Sequence, residues 1–215
     1  MSQENIIVFD VDGVLLDNKA GGFKEVLGKY FNKQKEVDEI NEKYQRRKHL
    51  GPWGLEQLTE LYKGLEVEKV AEVTKNYVVE KLMLGAKEIV GYFKNKNYLV
   101  VAISSNPIFI LEELKKILGV DLIFGNILEV EGNKYTGKLL EKVDRYIKKE
   151  ILQSILKKYN ITGDIIVIGD SITDLPISEL ATKFVVFNTD KEEVISKADY
   201  VVREKDLTKI SKLNI

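Results

Sequence analysis

The chain has 215 residues, 44% hydrophobic and 31% charged, with a formal net charge of -1 and no cysteine. That supplies a full core, as one domain or as a core carrying a smaller inserted one. Near-neutral charge excludes nucleic acid and anionic membrane as main partners. The lack of cysteine excludes disulfides, thiolate metal sites and cysteine nucleophiles. No apolar stretch approaches the ~20 residues of a membrane span. Met1-Ser2-Gln3-Glu4 carries no signal-peptide pattern, so the expected location is cytoplasmic.

The first apolar run, residues 6–9, reads as a buried strand that opens into Asp10-Val11-Asp12-Gly13. Residues two apart on a strand share a face, so Asp10 and Asp12 would set two negative charges side by side at the edge of a core. Such a pair needs a cation or a change of protonation to relieve it. Gly13 lets the backbone depart sharply. Strand end, paired acids and glycine together read as a metal-assisted active site.

Roughly 70 residues without a strand-like run follow, far more than an ordinary loop. Apolar residues at helical spacing over 28–44, 55–63 and 67–82 predict a helical cap domain inserted as residues 17–84, with 1–16 and 85–215 forming the core. Gly21-Gly22 reads as its hinge. Arg46-Arg47-Lys48-His49 reads as a solvated helix face, with charge offered to an anionic substrate as the sharper alternative. Trp53 reads as cap packing, with closure over the site as its alternative.

Beyond the insertion, apolar runs at 99–103, 122–124, 165–168, 184–187 and 200–202 alternate with amphipathic segments at 86–94, 108–118, 147–159 and 192–197. That rhythm predicts an α/β fold, a doubly wound Rossmann-like parallel sheet with its ligands at the carboxyl ends of the strands. Residues 127–139 read as a β-hairpin turning at Glu131-Gly132-Asn133-Lys134. The second strand ends in Ser104-Ser105-Asn106, with Pro107 in the first turn of the next helix. The fourth ends in Gly169-Asp170-Ser171-Ile172-Thr173-Asp174, and Lys148 lies near the start of the helix before it. A parallel sheet would bring all these residues to one rim.

In this order and on these strand ends, the residues resemble the haloacid dehalogenase-like superfamily of aspartate-nucleophile phosphotransferases, over the whole chain. Asp10-Val11-Asp12-Gly13, Ser104, Lys148 and Gly169-Asp170…Asp174 match its four motifs. The helical insertion, Leu118-Gly119-Val120-Asp121 and the hairpin ending Tyr135-Thr136-Gly137 are most similar to its phosphoserine phosphatase branch.

The resemblance implies a Mg2+-dependent phosphatase for a small phosphorylated metabolite, working through an aspartyl-phosphate, as a monomer or homodimer. Asp10 is then the nucleophile and Asp12 the proton shuttle. Asp10, the backbone carbonyl of Asp12, and Asp170 would hold the metal. Lys148 would supply fixed positive charge. Ser104, or in other branches Ser105, would hold phosphate oxygens with N–H groups near Asn106 at the following helix start. Asp174 would orient Lys148 or a metal-bound water.

A phosphomutase on the same scaffold, or a catalytically silent binding protein, are the rival readings. Phosphoserine phosphatases read the serine amine and carboxylate with a cap glutamate and a cap arginine. Ungapped counting puts Lys19 and Tyr62 near those positions, so the substrate is expected to differ.

Overall fold

The computed structural model describes residues 3–18 and 20–215. Seven strands form one sheet: β1 (Asn5–Phe9), β2 (Tyr98–Pro107), β3 (Leu122–Glu131), β4 (Lys134–Glu141), β5 (Ile165–Gly169), β6 (Lys183–Phe187) and β7 (Tyr200–Val202), in the order β4-β3-β2-β1-β5-β6-β7. Only the β3–β4 pair is antiparallel. β1 is the switch point, because the chain steps outward from it to β2 on one side and later to β5 on the other. Open α/β sheets bind ligands at the crevice such a reversal creates.

Pleating explains why the strands are apolar on both faces. Ile7 and Phe9 pack into one core with Val100, Ala102, Ile166 and Ile168. Ile6 and Val8 pack into the other with Leu99, Val101, Ile103 and Val167. Helices α5 (Ala86–Asn95) and α6 (Ile108–Leu118) supply apolar faces to the first core. Helices α7 (Arg145–Lys158) and α8 (Leu175–Ser178) cover the second. The short α9 (Glu192–Ile195) adds Val194 to that side. A sheet sandwiched by helices is the expected doubly wound architecture.

The helical insertion between β1 and α5 contains α1 (Gly22–Phe31), α2 (Gln34–Arg47), α3 (Leu55–Glu60) and α4 (Val67–Lys81). The predicted continuous segment 28–44 is two helices, because Asn32 takes a left-handed conformation (φ 54°) and ends α1. Entry and exit run side by side: Asp17 N–H donates to the Lys81 carbonyl at 2.6 Å and Met83 N–H to that of Leu15 at 2.9 Å. The insertion has its own core of Phe23, Leu27, Val37, Leu58, Tyr62 and Val70, completed by Leu128 and Tyr135 from the β3–β4 hairpin. Backbone bonds tie the two together, from Gly64 N–H to the Tyr135 carbonyl (2.8 Å) and from Tyr135 N–H to that of Leu65 (3.0 Å).

Three local expectations shift. Residues 122–124 and the first arm of the hairpin form one strand, β3. Its Gly125 passes so close to β2 that a Cβ there would lie 2.7 Å from the Asn106 carbonyl oxygen. Pro107 ends β2 and caps α6 instead of sitting in its first turn, since its φ of -58° and ψ of 144° are extended. Helix α7 starts earlier than predicted, at Arg145, because Asp144 caps it by accepting from Tyr146 N–H and Ile147 N–H.

Candidate active site

The parallel register sets the site. Phe9 pairs with Ala102 on β2 and with Ile168 on β5, so Asp10 and Asp170, just past the ends of β1 and β5, and Ser104, within β2, come to neighbouring points on one rim. Asp10, Asp12, Ser104, Ser105, Asn106, Lys148 and Asp170 all line one cavity of about 280 Å³, roofed by residues of the insertion. Asp174 lies just behind, buried, and contacts the site through Lys148.

Lys148 reaches this rim from the first turn of α7. Its Nζ, almost fully buried, donates to Asp10 Oδ1 and to Asp174 Oδ1, each at 2.9 Å. Burial alone would lower its pKa, but Asp10 and Asp174 together hold it above the usual lysine range. The ammonium is therefore a fixed positive charge.

Asp174 is committed on both oxygens. Its Oδ2 accepts from the backbone N–H groups of Asp170 and Ser171, each at 3.2 Å. Gly169 makes this possible, since a Cβ there would fall 2.6 Å from the Cβ of Asp174.

Asp10, Asp170 and Asp174 present carboxylate oxygens within 4.8 Å of one another. Burial pushes Asp10 well above the usual carboxylate range, and the neighbouring Asp174 pushes it further. Burial likewise raises Asp170, to about 6. Clustered oxygen donors in a desolvated pocket suit a hard divalent cation. With both Asp174 oxygens engaged, Asp10 and Asp170 are the carboxylates left to hold it. Gly13, at φ 78°, passes directly under Asp170: a Cβ there would meet its Oδ2 at 2.5 Å.

Asp12 does not join the carboxylate cluster. Its Oδ1 accepts from Asn18 Nδ2 (2.8 Å), Asn106 Nδ2 (2.9 Å) and Gly22 N–H (3.0 Å). Burial raises its pKa, and those three donors oppose the rise. Asn106 also accepts from Phe23 N–H through Oδ1 at 2.9 Å, so one amide ties β2, Asp12 and α1 together. Gly21-Gly22, read as a hinge, lies against this network: a Cβ on Gly22 would sit 2.9 Å from Ile110 Cδ1. Ser104 is buried, and its Oγ accepts from Asn106 N–H at 3.2 Å, leaving its proton free to donate. Ser105 is half-buried, and its carbonyl accepts from Asn126 Nδ2 at 2.5 Å.

Several cavity residues carried no signal in the sequence reading. Asn18, Lys24, Asn41, Tyr44, Arg145 and Lys191 line it. Trp53 lines it too, against the expectation of simple packing, with the Arg47 guanidinium 5.1 Å from its ring centre. His49 is exposed and does not line the cavity. Tyr62 sits fully buried in the core of the insertion, where its hydroxyl donates to the Phe23 carbonyl (3.3 Å), and does not line the cavity. Lys19 lies outside the described residues.

Residues 4–181 match the family model for haloacid dehalogenase-like hydrolases, and the chain belongs to that family. Its curated relatives include the phosphoserine phosphatase of Archaeoglobus fulgidus, 30% identical over 95% of this chain and 58% of the relative. That of Methanocaldococcus jannaschii is 28% identical over 98% of this chain and 97% of its own. A solved phospho-aspartyl intermediate analogue of phosphoserine phosphatase superposes with a TM-score of 0.81 at 28% identity, covering 98% of both chains. A substrate-bound phosphoserine phosphatase complex superposes at 0.79 with 25% identity, covering 99% of both. Within the family, the chain falls in the phosphoserine phosphatase-like branch.

Proposed function

We propose that this chain is a Mg2+-dependent phosphatase that hydrolyses a small phosphomonoester through an aspartyl-phosphate on Asp10, with residues 17–84 acting as the cap that limits access. The observation that carries this reading is the setting of Asp10: one oxygen fixed by Lys148, the carboxyl desolvated, at the wall of a small roofed cavity. A relative solved as a phospho-aspartyl intermediate analogue supports it.

In this reading the Asp10 carboxylate attacks phosphorus, the P–O bond to the alcohol breaks, and an acyl phosphate remains. Asp12, its carboxyl raised by burial, gives its proton to the departing alkoxide. It then takes a proton from the water that hydrolyses the acyl phosphate, which restores Asp10 and releases inorganic phosphate. Ser104 donates its free hydroxyl proton to a phosphate oxygen, and Lys148 neutralises charge on Asp10 and the phosphate. Asp174 keeps Lys148 in place. Mg2+ held by Asp10, Asp170 and the Asp12 backbone carbonyl would supply further positive charge against the phosphate oxygens.

Two linked measurements test this. With millimolar Mg2+ the protein should hydrolyse p-nitrophenyl phosphate, and a chelator should stop it; metal-independent turnover would contradict the reading. Mg2+ should also raise Tm, and the pH dependence has a definite sign. Burial raises Asp170 to about 6, so the metal-free fold favours its protonated form. The stability linked to that proton is present below the unfolded carboxylate pKa and is lost as pH rises through about 6. The cation competes with the proton, so the rise in Tm should be larger near pH ~7.5 than near ~5. An equal rise at both, or none, would count against Asp170 as a ligand.

A further inference from the structure

We infer that the second group this cavity reads on its substrate is an oxyanion, carboxylate or phosphate, rather than an ammonium, and that Arg145 and Lys24 read it. The inference rests on the phosphatase reading above and specifies its substrate class.

Arg145 opens α7, three residues before Lys148, so the two share a helix face one turn apart. Lys148 points at Asp10, and Arg145 lines the same cavity. Its Nε is buried without a hydrogen-bond partner among the described residues. Its guanidinium lies 5.1 Å from the Tyr146 ring centre and forms no ion pair with a carboxylate among the described residues. A buried guanidinium N–H lacking an acceptor is costly unless a ligand supplies one.

Lys24 lines the cavity from a different element, α1 of the insertion. Its Nζ donates to Asn41 Oδ1 at 3.0 Å, a neutral partner that leaves the charge uncompensated. Burial lowers its pKa, and Asp12 is the one charge that raises it again. Lys24 and Arg145, from two elements, thus add positive charge to a cavity that Lys148 and Lys191 also line.

The acids do not offer the opposite chemistry. Four carboxylates line the cavity among the described residues: Asp10, Asp12, Asp170 and Asp144. The first three form the phosphate end. Asp144 caps α7, with Oδ1 accepting two backbone N–H groups and Oδ2 lying 4.0 Å from Lys142 Nζ. No free carboxylate remains among them to balance a substrate ammonium. An ammonium brought beside Arg145 and Lys24 would be repelled, whereas an oxyanion would pair with both.

The test compares kcat/KM for four alkyl phosphates: propyl phosphate, 3-phosphooxypropanoate, propane-1,3-diol bisphosphate and O-phosphoserine. p-Nitrophenyl phosphate serves as the general phosphatase control. At least one of the two substrates that carry a second oxyanion should exceed propyl phosphate by about 10- to 100-fold. The carboxylate and bisphosphate arms tell the two oxyanions apart. O-Phosphoserine, which adds only an ammonium to 3-phosphooxypropanoate, should fall about 10-fold or more below it. Arg145→Gln should reduce the ratio of oxyanion-bearing to propyl substrate about 10-fold, and Lys24→Gln should lower it independently. O-Phosphoserine at or above its deamino counterpart, or ratios unmoved in both variants, would overturn the inference while leaving the phosphatase intact. No turnover of p-nitrophenyl phosphate would overturn the phosphatase reading and this inference with it.

Discussion

Asp10→Asn should lower kcat for any phosphomonoester by at least about 10⁴-fold, the scale on which removing a covalent nucleophile acts. The substitution keeps size and hydrogen-bonding shape but replaces the attacking carboxylate with an amide. It also removes one of the two carboxylates available for the cation. Folding should survive, because an uncharged amide relieves the repulsion from Asp174 and Asp170 that raises Asp10. The check is single-turnover and steady-state hydrolysis in saturating Mg2+, with the fold monitored by circular dichroism. Turnover within ten-fold of wild type in a folded variant would remove Asp10 from the nucleophile role.

Lys148→Met should have the second largest effect, and its first readout is stability. The ammonium pairs with Asp10 and Asp174 in a site nearly closed to water. Removing one member of a buried ion network strands the others, at a cost of about 3–5 kcal/mol. The methionine chain fills the lysine's volume, so lost packing contributes little. Burial already raises Asp10, and without Lys148 the rise is larger. The folded variant then favours protonated Asp10, so its deficit relative to wild type should be greatest near neutral pH and shrink on acidification. Urea denaturation of both proteins across that range, without metal, measures it. A deficit that grows on acidification would contradict the pairing.

These effects depend on one rim of one sheet, and most of that rim was legible in the sequence. Doubly apolar strands give uninterrupted runs, and those of β1 and β5 stop about where the chain leaves the sheet. Ile6 to Phe9 followed by Asp10, and Ile165 to Ile168 followed by Gly169 and Asp170, therefore marked both position and chemistry. Lys148 was harder, because lysines at 138, 142 and 149 look alike on paper. Its burial distinguishes it, and that depends on how α7 packs on the sheet.

The insertion was legible as helices but not as a binding wall. Periodicity shows which side of α1 packs, yet it does not report that Lys24 reaches the cavity or that Asn41 meets it. Arg145 stands beside an ordinary helix cap, and nothing local separates it from a solvated arginine. Asn126 shows the same limit: fully buried, it donates to the Ser105 carbonyl and accepts from Val143 N–H at 2.7 Å, so it ties the end of β2 to the segment between β4 and α7. A single asparagine after Gly125 does not announce that role. In the proposed function, specificity would rest on such isolated polar residues, whereas most of the reaction chemistry would rest on residues at strand ends.

The most direct test of the central claim is to locate the phosphoryl group in mid-reaction. Wild-type protein turning over a phosphomonoester in Mg2+ would be quenched in acid, reduced with borohydride, digested and sequenced by mass spectrometry. Borohydride reduces an acyl phosphate on aspartate to an alcohol, so the mass change marks the attacking carboxylate. The change should fall on residue 10 and disappear when substrate is omitted. A change on Asp12 or Asp170, or sustained turnover with residue 10 unmodified throughout, would contradict the assignment.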